Sequence, residues 1–205
     1  PSLTWVFVEM LWEPGVLAQV RINNQEIYST TPGGSGTPNL LSLRLGSGTV
    51  WWDDIYVLDT SGSHNNDYLG PLKIVALKPN AAGSRTELTP SEAEDNYVLA
   101  SDGDDSTYNE GVAGEGDLYA FEDTPSSDDI IGLVQTWRAY DGEGGAITGR
   151  PILRTDSTQY YGTDRVLPAS PNTYMHSWDV NPDTTNPWTP EEVDALELGV
   201  EFDNP

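Results

Sequence analysis

The sequence predicts an all-β protein of two packed β-sandwich domains, with one short helix near residues 190–195. Three observations carry this. Gly and Pro number 20 and 15 among 205 residues, which suits many short strands joined by turns. Apolar and polar residues alternate with period two in several segments, LLSLRLG at 40–46 and LELGVEF at 196–202 among them. No helical period outlasts a turn or two. Hydrophobic residues make up 37% of the chain and Trp contributes 7, enough for a real core despite the charge.

The elements follow in order. LTWVFVEMLW, residues 3–12, is an apolar strand-like run. LAQVRINNQEIYST predicts a hairpin: Val20 and Ile22 lead in, Asn23-Asn24 supply the turn, and Ile27 leads out. TTPGGSGTPN, residues 30–39, is a loop of turn residues. LLSLRLG points Leu41, Leu43 and Leu45 one way and Ser42 and Arg44 the other. WWDDIYVLD, residues 51–59, then predicts a strand with Ile55 and Val57 packed inward. The polar, glycine-containing stretch around residues 60–70 marks a boundary. The expected organisation is a first domain over residues 1–62, a linker over 63–70 and a second sandwich over 71–205.

In the second part, LKIVAL restarts the strand pattern at 72–77, and TYNEGVAGEGDLYAF follows the acidic loop SDGDDS. IIGLVQTWRAY is a long strand, followed by the DGEGG turn, AITGRPILRTD, and the alternating TYMHSWDV. Thr189-Pro190-Glu191-Glu192 matches a capping box with proline at the first helical position. The strand after it should turn Leu196, Leu198, Val200 and Phe202 inward and leave Glu197 and Glu201 on a wet face. With no fixed-period repeat, a propeller or solenoid is disfavoured.

Charge removes whole classes of function. The formal charge is −24, from 33 acidic and 9 basic residues. The basic residues are scattered: Arg21, Arg44, Lys73, Lys78, Arg85, Arg138, Arg150, Arg154 and Arg165. No patch could neutralise phosphates, so nucleic acid is not an expected partner, and anionic membranes would repel the chain. No apolar run approaches the roughly 20 residues that span a bilayer. Such acidity favours solubility and suits high salt, where self-repulsion is screened. With no Cys, disulfides and thiolate metal sites are excluded.

The candidate chemical groups are few. Asp53 and Asp54 are adjacent, and neighbours on a strand point to opposite faces. They cannot easily converge on one substrate, whereas glycosidases need two carboxylates roughly 5 to 10 Å apart across a cleft. The favoured reading is structural: one ties down the strand entry, the other is solvated. Calcium on one of them is an alternative. Glu9 and Glu13 in EMLWE invite comparison with jelly-roll glucanases, but the alternating Glu, Asp, Glu pattern of those enzymes is missing. Asp102, Asp104, Asp105 and Glu110 form an oxygen-rich loop, yet Gly103 falls too early for an EF-hand. A solvated loop is expected there, with a weak calcium site as the alternative. His64 falls in the expected linker and His176 on a packed strand face, so neither suggests a ligand. GEGG at 142–145 lacks the strand–turn–helix setting of a dinucleotide loop, and no G-x-S-x-G is present. The Trp and Tyr content could supply a sugar-stacking surface, but most such residues should be core. No residue is assigned a catalytic, cofactor or metal role.

The order of elements resembles a family. RINNQEIYST followed by LLSLRLGSGTVWWDDIYVLDTSG resembles the C-terminal half of a laminin G or concanavalin A-like jelly roll. Asn65-Asn66-Asp67-Tyr68-Leu69-Gly70, then Pro79 to Gly83, then Thr86 to Pro90, resemble the segments that follow this half in tailed-phage virion proteins. The closing stretch is similar too: Asn181-Pro182, Trp188-Thr189, Val193, Ala195-Leu196 and Gly199-Val200. The resemblance implies a non-enzymatic virion structural protein: a capsid decoration, head fibre or tail component. Its implied partners are copies of itself, other virion proteins and host glycans. It also implies that the first half of the jelly roll is missing, in line with a start at Pro1 rather than Met. A secreted or surface carbohydrate-binding module is the alternative, and a glycan-active enzyme a weaker third.

Overall fold

A computed structural model describes residues 5–13, 15–33, 51–58, 64–125, 127–144 and 147–204. The expected strand at 40–46 and the loop around it lie largely outside these residues. The chain is all-β with two short helices, and it divides into two compact units, Pro1–Val75 and Ala76–Pro205.

In the first unit, β1 (Val8–Glu13), β2 (Leu17–Ile22) and β3 (Gln25–Thr30) form an antiparallel meander. Gly15, at φ 72°, turns the chain between β1 and β2, where the Val16 amide donates to the Glu13 carbonyl (3.1 Å). The Asn23-Asn24 hairpin forms as expected. Both residues take left-handed backbone (φ 49° and 66°), the twist a two-residue hairpin needs and asparagine tolerates. Asn23 also accepts from the Phe7 amide through Oδ1 (2.9 Å) and donates its own amide back to the Phe7 carbonyl (2.8 Å).

Two expected strands are absent. Residues 51–58 pair with no strand among the described residues, and Ile55 and Val57 are 49% and 79% exposed rather than packed. Asp54 is the reason: it sits at φ 49°, and its amide is taken by its neighbour's Asp53 Oδ1 (2.9 Å). An Asx bond of this kind competes with a strand ladder, and left-handed backbone ends the extended path. Residues 72–77 form no strand either, and Ile74 and Val75 are exposed.

The second unit is a two-layer, sandwich-type fold. Its main sheet has six strands in the order β10-β9-β13-β7-β4, with β11 sharing β9's outer edge. These are β4 (Pro79–Thr86), β7 (Gly116–Phe121), β9 (Thr148–Thr155), β10 (Thr158–Tyr161), β11 (Arg165–Val166) and β13 (Glu197–Asp203), all paired antiparallel. The second layer is the pair β8 (Leu133–Ala139) and β12 (Asn172–Trp178). Their alternation lays Gln135, Trp137, Tyr174, His176 and Trp178 toward the main sheet and leaves Val134 and Met175 outside. Trp137 and Tyr174, opposite each other in register, stack at 4.5 Å. Gln135 Nε2 reaches through to the Gly199 carbonyl on β13 (2.6 Å), and its Oε1 accepts from Trp178 Nε1 (3.2 Å). Two short strands, β5 (Thr89–Pro90) and β6 (Asn109–Glu110), pair at one side.

The core is Leu153, Trp178, Trp188, Val193 and Leu196. The helix α2 (Pro190–Ala195) supplies Val193 and starts on the predicted capping box. Thr189 Oγ1 accepts from the Glu192 amide (3.3 Å), and Glu192 Oε2 accepts from the Thr189 amide (2.9 Å). A second helix, the single turn α1 (Asn96–Leu99), was not expected; four residues are too few to show a period. On β13, Leu198 lies on the core side as predicted, and Glu197 and Glu201 lie on the other. Glu201, however, is 7% exposed rather than wet, because Arg85 and Arg150 close over it.

Candidate functional site

The sequence's candidate groups do not converge. Glu9 of β1 is buried in its unit, whereas Glu13 is exposed. Glu9 Oε1 accepts from the Tyr56 hydroxyl (3.0 Å) and from the Gly70 amide (3.0 Å). It therefore ties the segments around 56 and 70 to the meander. Burial, then the hydrogen bond and charge of Glu9, push the Tyr56 hydroxyl up to about 12. Beside it, the Arg21 guanidinium lies 3.6 Å over the Tyr68 ring. Asp54 Oδ1 accepts from the Ile74 amide (2.8 Å). Both adjacent aspartates thus accept backbone amides, a structural arrangement.

The 102–110 loop is closed on itself. Asp102 accepts from the Asp104 amide (2.8 Å) and the Thr107 hydroxyl (2.6 Å), and Asp104 accepts from the Ser106 amide (2.9 Å). Asp105 takes a forked pair from Arg138, at 2.6 and 2.7 Å, which holds its carboxyl below the usual range. Among the described residues, no three His, Cys, Asp or Glu side chains gather as a metal site. His176 packs edge-on against Trp178 at 4.5 Å, and burial followed by the nearby Arg165 lowers its pKa. His64 is exposed in the other unit. A cavity of about 340 Å³ at the start of α2 is lined by Thr155, Asp156, Asn181, Asp183 and Glu192. Its polar groups already have partners: Asn181 Nδ2 donates to Glu192 (2.9 Å), and Asp183 accepts from the hydroxyl of Tyr160 outside the lining (2.7 Å).

What stands out is a surface. Register places Val8, Met10 and Trp12 of β1, Ala18, Val20 and Ile22 of β2, and Tyr28 of β3 on one face of the meander. The other face is mostly polar: Glu9, Glu13, Gln19, Arg21 and Glu26 occupy it together with Leu11 and Leu17. The usual arrangement is reversed. The polar face receives the segments tied by Glu9, while on the apolar face Met10 is 59%, Trp12 47% and Tyr28 55% exposed. The tryptophans divide by unit as well. Trp137, Trp178 and Trp188 are core, whereas Trp5, Trp12, Trp51 and Trp52 are all at least 47% exposed. The expectation that aromatic residues are mostly core therefore fails for the first unit. Alternation alone could not show this, because it reveals which residues share a face and not what lies against that face.

The fold defines an all-β, sandwich-type protein in which, among the described residues, the apolar face of β1–β3 is exposed. No protein-family model, curated protein or solved structure matches the chain. No helix among the described residues is long and apolar enough to cross a membrane.

Proposed function

We propose that this chain is a non-enzymatic structural protein that acts by assembly, at the surface of a tailed-phage particle. It would serve as a capsid decoration, head fibre or tail component, with copies of itself and other virion proteins as partners. The single observation that carries the assembly reading is the apolar face of β1–β3. Large apolar side chains in a row on a sheet face are costly to leave in water, and contiguous exposed patches mark interaction surfaces. The charge of −24 supports it from the other side: it discourages nonspecific association, so contact is confined to surfaces that carry little charge. The particle itself is suggested by the order of segments from Arg21 to Val200 that resembles virion proteins.

Quantitative mass spectrometry of purified particles from the source culture tests this. A copy number matching head or tail symmetry supports the proposal; absence from particles overturns it. A second reading, a carbohydrate-binding module, is favoured by the exposure of Trp5, Trp12, Trp51 and Trp52, since flat aromatic rings stack on sugars. Saturable binding on a glycan array, lost on Trp12→Ala, would support that reading.

A further inference from the structure

We propose that residues 78–87, containing β4, form a releasable strap on the edge of the main sheet, held by carboxylates and opening before the strands beneath it. Three independent features point to this.

The first is the ladder. Over its eight residues β4 shares only four register pairs with β7: Pro79–Phe121, Ala81–Ala120, Ala82–Tyr119 and Thr86–Asp117. Register shifts twice, and Gly83, Ser84 and Arg85 bulge opposite Leu118. The second is composition. The strand reads PNAAGSRT and holds no large apolar side chain, whereas β9 buries Ile152 and Leu153 and β13 packs the half-buried Leu198 against the core. Apolar anchors lie only outside the strap, Leu77 against the core cluster and Leu88 against Gly111. Burial therefore contributes little to holding β4 itself.

The third is the clasp. Glu122 Oε2 accepts from the Lys78 amide (3.2 Å) at one end. Asp117 Oδ1 accepts from the Glu87 and Leu88 amides (2.7 and 2.9 Å) at the other. In the middle, Glu197 Oε2 takes both the amide and the hydroxyl of Ser84 (3.0 and 2.5 Å), and Glu201 Oε2 pairs with Arg85. Glu197 and Glu201 stand on β13, so they reach past β7 to hold the edge. The helix α1 also packs against β4, so the titratable groups on the elements that pack against or clasp the strap are Asp117 and Tyr119 of β7, Tyr97 of α1, Glu122 beyond β7, and Glu197 and Glu201 of β13. Behind these, Arg150 and Arg154 of β9 pair with Glu201 and Glu197, and Asp203 lies 3.9 Å from Arg150. Lys78, Arg85 and Glu87 are the strap's own charges, and Arg85 also donates to the Gly114 carbonyl (2.8 Å).

Opening breaks these bonds and bares the backbone edge of β7, a template for an added strand. Acid favours opening. Glu201 carries a depressed pKa through Arg85 and Arg150 despite its burial, so its hold is present above the ordinary carboxylate range and is lost as pH falls through that depressed value.

Hydrogen exchange on the full chain, corrected for intrinsic rates at each pH, reads this directly. At neutral pH, amides within 79–86 are expected to exchange on the order of a hundredfold faster than those of β13, and the gap to widen below about pH 4. Glu197→Gln should quicken strap exchange at neutral pH and leave β8 and β12, which make no bond to Glu197, unchanged. Ser84→Ala, which removes only the hydroxyl, should do so less and serves if Glu197→Gln does not fold. Equal protection of β4 and β13 at every pH, or strap exchange unmoved by both variants, overturns the proposal.

Discussion

Asp117 is fully buried, and both its oxygens are used. Oδ1 takes two backbone amides, while Oδ2 takes Asn96 Nδ2 (2.6 Å) and the Tyr119 hydroxyl (2.9 Å). Burial, then the charge of Asp117, pushes the Tyr119 hydroxyl well up. Truncating the carboxylate strands four donors in a dry site, so Asp117→Ala is expected to cost about 3–5 kcal/mol in urea unfolding of the second unit. Tyr56 makes a pH prediction. Its folded pKa is raised from 10.0 to about 12, so the stability it contributes is present below 10 and is lost as pH rises toward 12. The first unit is expected to loosen across that window, read as faster amide exchange in β1. Tyr56→Phe, having no hydroxyl to ionise there, should weaken the alkaline transition and leave the part contributed by Tyr68, whose hydroxyl burial also pushes up. These roles were not legible in the sequence. Asp117 sits among GEGDLYAF like any solvated acid, and only its distant partners, residues 87, 88 and 96, make it a core group.

At the scale of elements, local signals read well and long-range pairing read poorly. The Asn23-Asn24 turn and the Thr189–Glu192 capping box are complete within a few residues, and both formed as expected. Thr189→Ala should cost about 1 kcal/mol of stability, since it removes the acceptor for the Glu192 amide. Residues 51–58 form no strand with the described residues because the turn tendency of Asp53 and Asp54 overrides the apolar content around them. The layer contact of the sandwich depends on a glycine whose role only the fold reveals. A β-carbon on Gly149 would lie 2.9 Å from the Trp137 ring and 3.2 Å from Leu167. Gly149→Ala is expected to destabilise by about 1–3 kcal/mol through overpacking, visible as a lower urea midpoint with an unchanged slope.

For the whole molecule, the few cations are spent internally. Arg85, Arg138, Arg150 and Arg154 all pair with carboxylates, and Arg21 lies on Tyr68. Lys73, Lys78 and Arg165 are exposed, but 33 acidic residues far outnumber them, and the face of β1–β3 that carries Met10 and Trp12 is apolar. The all-β class was legible from turn residues and alternation. The uncovered face was not, because an apolar row reads the same whether another layer lies on it or not. The chain's two methionines separate these cases: Met10 is on that face, 59% exposed, and Met175 is on the outer side of β12, 63% exposed. The most direct measurement is methionine oxidation followed by mass spectrometry, on the free chain and on purified particles. Assembly through the first unit predicts that both oxidise in the free chain and that Met10 alone is protected in the particle. Equal oxidation of Met10 in the two states would contradict the account.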